Sequence, residues 1–151
     1  MAAHGVSRST GDLDLLTLSP ECLAEGFWTD LHVAGIRAEV RRSDSDDPLA
    51  GVVRLAIPGK DPVDVVVGKS AWQGQIFQRA QAMQIEDIQV PVASRLDLIL
   101  LKLFAGGPQD LWDVEQLLAG GHRERLSAEV DAAVAVLPAL REAWGRVRRG
   151  G

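Results

Sequence analysis

Apolar and polar residues alternate along the first half of this chain and recur every three to four positions along the second. A period of two belongs to a half-buried strand, and a period near 3.6 to one face of a helix. On this reading Asp12 to Leu18 is a buried strand that stops at Ser19-Pro20. Leu13 and Leu15 then point into the core and the aspartates between them point the other way. Pro20 to Leu31 reads as a helix, with Ser19 as its N-cap and Pro20 in the first position.

Ile36 to Arg42 and Gly51 to Ile57 suit a strand pair joined by the acidic turn Ser43 to Pro48. Val63 to Val67 is a further strand, a β-branched run with one aspartate inside it. A short helix over Ser70 to Arg79 and a strand over Gln89 to Val92 come next. The rest is helical. Ser94 caps a helix with Asp97 three residues on, and its apolar face is Leu96, Ile99, Leu100 and Leu103. Gly106-Gly107-Pro108 ends that helix and opens another, striped by Leu111, Val114, Leu117 and Leu118. Leu126 to Val147 supplies one or two more, broken at Pro138.

Strands first and helices afterwards predict an α+β fold, a mixed or antiparallel sheet with helices packed on it and a helical C-terminal part. At 151 residues the expectation is a single domain, with a sheet region over 1–92 and a helical region over 93–151. Hydrophobic residues at 46% and charged residues at 25% match an ordinary globular composition. The net charge of -5 argues against a broad electrostatic grip on nucleic acid, although arginines cluster at 41–42 and 146–149. Cys22 stands alone, which excludes an intrachain disulfide and a thiolate metal cage. Met1 to Asp14 lacks the charged start and apolar run of a signal peptide, and Leu96 to Ala105 is too short to span a bilayer. The expected compartment is therefore the cytoplasm.

The candidate chemistry lies in the carboxylates. Asp12 and Asp14 share a strand face, about 7 Å apart along the chain. Asp64 lies opposite the face taken by Val63, Val65 and Val67. If the two strands are neighbours, roughly 4.8 Å apart, the three carboxylates converge into an oxygen site suited to Mg²⁺. The competing reading is that Asp-x-Asp merely caps a turn. Against it, an acid among valines is costly unless a metal or a base offsets its charge.

With these residues in view, the chain resembles AbiEii-like nucleotidyltransferases of the polymerase β-like superfamily. Residues 2–16 (Ala-Ala-His-Gly-Val-Ser-Arg-Ser-Thr-Gly-Asp-Leu-Asp-Leu-Leu) are similar to the approach to that family's catalytic strand. Val63-Asp64-Val65-Val66-Val67-Gly68 is similar to its third-carboxylate strand, and Val92 to Leu118 to its lysine- and aspartate-bearing helix pair. The likeness covers roughly residues 1–120. It implies transfer of a nucleoside monophosphate from a nucleoside triphosphate to a hydroxyl, with one or two Mg²⁺ or Mn²⁺ ions held by Asp12, Asp14 and Asp64. It also implies an RNA acceptor and a toxin–antitoxin pair with a cognate antitoxin protein. The family's glycine turn upstream of the aspartates, which cradles phosphates through backbone amides, has no counterpart between Met1 and Asp12. Two alternatives follow: either the gene starts further upstream and carries that turn, or the chain is a degenerate relative with weak or no transfer, serving as a binding, regulatory or antitoxin module.

Other residues carry paired readings. Lys102 either contacts triphosphate oxygens or forms a salt bridge to Asp110. Asp110 and Asp113, on one helix face, either order Lys102 or Arg95 or are solvated acids. Arg8 either binds phosphate or neutralises the acidic cluster. His4, His32 and His122 show no ligand spacing, and Trp28, Trp72, Trp112 and Trp144 suit core or helix-packing positions. The C-terminal arginines read equally as a solvated tail or an RNA contact.

Overall fold

The computed structural model describes residues 13–85, 87–119 and 122–150. Its fold is α+β, built as two compact units, one ending at Gln75 and the other starting at Ile76.

The first unit is a four-stranded mixed sheet in the order β1-β4-β3-β2, from β1 (Leu13–Thr17), β2 (Arg37–Arg42), β3 (Leu49–Ala56) and β4 (Val63–Gly68). β1 runs parallel to β4, while β3 is antiparallel to both of its neighbours. Alternate residues Val53, Leu55, Val65 and Val67 point to one face, where they pack with Cys22, Leu23, Trp28 and Leu31. The acidic turn between β2 and β3 is held by Lys69, whose ammonium donates to the carbonyls of Asp44 (3.3 Å) and Ser45 (2.8 Å). β3 shifts register between Leu49 and Gly51. There the chain passes so close to β2 that a Cβ on Gly51 would lie 2.5 Å from the Arg41 carbonyl oxygen.

Two expectations fail here. The helix anticipated over Pro20 to Leu31 is instead two 3-10 turns, Pro20–Leu23 and Glu25–Trp28, followed by α1 (Thr29–Val33). Ala24 between the turns is extended. The carbonyls of Cys22 and Leu23 are taken at 2.7 Å by the Trp28 indole and the Arg42 guanidinium, which substitute for helical amides. Second, Leu13 and Leu15 are 51% and 46% exposed rather than buried. Among the described residues β1 is an edge strand, paired only with β4, so its apolar side chains have neighbours on one flank alone.

The boundary falls within α2 (Gly74–Arg79), and the second unit continues with the hairpin of β5 (Gln81–Ile85) and β6 (Ile88–Val92). β5 escapes the apolar pattern, since Gln81 and Gln84 dilute it. The helices α3 (Arg95–Ala105), α4 (Pro108–Leu118), α5 (Arg123–Val136) and α6 (Arg141–Gly150) follow. Ser94 caps α3 by accepting from the Asp97 amide (3.1 Å). Gly106, at φ 68, closes it in the left-handed conformation that glycine adopts without a Cβ clash. Pro108 opens α4, as its fixed φ favours. Ile99, Leu100, Leu103, Val114, Leu117, Val130, Leu140 and Trp144 form the buried interior. Trp112, expected in the packing, is instead 45% exposed on α4. No described helix is long and apolar enough to cross a membrane.

Candidate functional site

The register of the sheet assembles a charged row. Asp14 on β1 pairs directly with Asp64 on β4, Asp64 pairs with Arg54 on β3, and Arg54 pairs with Glu39 on β2. Directly paired residues project to the same face, here the one opposite the valine core. The two carboxylates thus stand on adjacent strands about 4.8 Å apart. Asp12 and Arg8 lie outside the described residues, so the row holds two of the three carboxylates. Among the described residues, no group of three or more His, Cys, Asp or Glu side chains gathers into a metal-binding cluster.

Asp64 carries the electrostatics of the site. Its side chain is 25% exposed, and Oδ2 lies 3.4 Å from the Arg54 Nη1. Its Oδ1 is buried and, among the described residues, has no hydrogen-bond partner. A buried carboxylate oxygen without a donor is costly, and one that a cation would satisfy fits the chemistry expected at this position. The oxygens of Asp14 and Asp64 are hard donors of the kind Mg²⁺ and Mn²⁺ take. Beside Asp64 the sheet face sinks into an open depression of about 190 Å³, lined by Arg41, Ser43, Val52, Arg54 and Asp64. The sequence reading missed Arg54. An arginine at a polar position of an alternating strand looks like any solvated residue until the strand order is known.

Neither a model of a known protein family nor a curated protein matches this sequence.

In the second unit, Lys102 is held between two acids. Its ammonium lies 3.0 Å from Asp110 Oδ1 and 3.0 Å from Asp113 Oδ2. The Asp113 side chain is 2% exposed, and Gln109 donates to its Oδ1 at 3.3 Å. Asp113 is thus a buried member of an ion cluster rather than a solvated acid. Burial is the largest influence on Lys102 and works against its charge, yet the hydrogen bonds to Asp113 and Asp110 prevail and raise its pKa above the ordinary lysine value.

A second buried carboxylate escaped sequence reading. Asp97, fully buried, receives the Arg79 guanidinium through Nε (3.2 Å to each oxygen) and through a short contact from Nη2. The Ser94 hydroxyl also donates to it (2.7 Å). The residue that looked like a capping partner is the anchor tying α2 to the start of α3. His32 and His122 are exposed, and His4 lies outside the described residues. Of the C-terminal arginines, Arg148 pairs with Asp131 (2.8 Å) and stands 6.0 Å over the Trp144 ring.

Proposed function

We propose that the chain is a metal-dependent nucleotidyltransferase domain, with its reaction centred on the paired Asp14 and Asp64. The observation that supports this reading is the direct register of the two carboxylates, with an Asp64 oxygen that has no hydrogen-bond partner among the described residues. Asp14 and Asp64, with Asp12 as the third member, are the residues that would hold Mg²⁺ or Mn²⁺. When bound, the ions would neutralise charge on the phosphates and on the attacking and leaving oxygens. Asp64 accepts the proton of the acceptor hydroxyl as that oxygen forms a bond to the α-phosphorus of a nucleoside triphosphate. The α–β phosphoanhydride bond breaks and pyrophosphate leaves. RNA is the proposed acceptor, and a toxin–antitoxin pair in the cytoplasm the proposed setting.

One observation favours a second reading, that of an inactive relative acting as a binding or antitoxin module. Arg54 already lies against Asp64 and partly neutralises it. Incubation with labelled nucleoside triphosphates, Mg²⁺ and total RNA separates the two. The transferase reading expects label in the RNA fraction that vanishes with Asp64→Ala. No label with any nucleotide would leave the module.

A further inference from the structure

Resting on the reading of Asp64 as part of the transfer site, we propose that the adjoining depression is the acceptor subsite. Arg41, Ser43 and Arg54 would grip a phosphodiester of single-stranded RNA there. Arg41 pairs in register with Val52, two residues before Arg54 on β3, so the arginines are diagonal neighbours on one sheet face. Cross-strand diagonals lie about 7–8 Å apart, within reach of long side chains, so both guanidiniums can close on one phosphate. The Ser43 hydroxyl lines the same depression and adds a donor.

Both arginines have fork capacity to offer. Among the described residues Arg54 touches Asp64 through Nη1 alone, at 3.4 Å, a long contact for a charged pair. Arg41 turns back on Glu39 of its own strand through Nε (2.9 Å) and Nη2 (2.8 Å), and both side chains are well exposed. Exposed pairs of this kind are weak, so a phosphate can displace Glu39 at little cost. The guanidinium fork matches phosphate oxygens bidentately. The depression opens to solvent and abuts Asp64, so a strand gripped there has its terminal hydroxyl beside the carboxylate proposed to accept the proton. In a chain of net charge -5, such a grip is focal rather than diffuse.

The test is fluorescence anisotropy of a short labelled single-stranded RNA with the full chain, in EDTA and without nucleotide. Arg41→Ala and Arg54→Ala should each weaken binding about tenfold, the net worth of one charged hydrogen-bonded contact. Ser43→Ala should weaken it less. Arg125→Ala, on α5 and outside the depression, should leave binding within about twofold, because its exposed charge already pairs with Glu129 and is largely screened. Unchanged melting temperatures confirm that the variants fold, and exposed Arg41 serves should Arg54→Ala fail to. Equal losses in all three arginine variants, no loss in any, or equal displacement of RNA by polyglutamate would overturn the subsite. Since metal and nucleotide are absent, failure of label transfer leaves this result intact. Conversely, active transfer with an unchanged acceptor KM in Arg41→Ala would sink the subsite alone.

Discussion

Asp14 and Asp64 face each other across the parallel pair β1–β4, and Arg54 flanks Asp64 from the opposite strand. Arg54 therefore competes with any cation for the Asp64 Oδ2, 3.4 Å away. Arg54→Gln should tighten Mg²⁺ binding about two- to fivefold, the worth of a partly exposed ion pair. Calorimetric titration checks this. Weaker Mg²⁺ binding in the variant would mean that Arg54 positions Asp64 rather than competing for it.

Lys102 should be a stability determinant. Lys102→Met leaves Asp113 buried without its cation and should cost about 3 kcal/mol in urea unfolding at neutral pH. The pKa of Lys102 is raised in the folded state, so its contribution is complete below the ordinary value of 10.5 and is lost as pH rises through the folded value. The wild-type chain should lose this part of its stability only in that alkaline range, and Lys102→Met should lack the transition.

The Arg79–Asp97 pair predicts an asymmetry. Asp97 is fully buried while Arg79 is 41% exposed. Arg79→Ala strands a buried charge and should cost about 3 kcal/mol. Asp97→Asn leaves behind only a guanidinium that can turn to solvent, and should cost less in the same unfolding experiment. Equal losses would show that the pair's worth lies in packing.

Gly51→Ala should destabilise the sheet by about 1–3 kcal/mol, because its Cβ meets backbone that cannot yield. Gly26→Ala, with nothing within 4 Å of its Cβ, should be neutral or stabilising. Thermal melts of the two variants make the comparison.

The legibility of this chain followed the range of its interactions. β2, β3, β4, β6 and the helices α3 and α4 announced themselves by local periodicity, and Ser94, Gly106 and Pro108 marked helix ends by their own backbone preferences. β5 and the broken segment from Pro20 to Trp28 did not. One carries two glutamines in five residues, and the other owes its shape to Arg42, 19 positions from the carbonyl it caps at Leu23. Within the site, strand parity set Asp14 and Asp64 opposite their apolar neighbours. Their pairing partner Arg54 and the Arg79–Asp97 anchor depend on strand order and on contacts 10 and 18 residues apart, which periodicity does not carry. Lys102 and Asp110, eight residues apart across the turn between α3 and α4, are near enough to be foreseen.

Whether Asp14 and Asp64 hold a divalent cation is measured directly by paramagnetic resonance of Mn²⁺. Titrated with the full chain, the free Mn²⁺ signal should fall as the ion binds, and Mn²⁺ should raise the melting temperature. Asp14→Asn and Asp64→Asn, close in shape to the native residues, should each weaken binding at least about tenfold, as expected for loss of one charged oxygen ligand. The thermal shift should vanish with it. Binding of Mn²⁺ that is equal in the wild type and both variants, or no binding to the wild type at millimolar metal, would contradict the site.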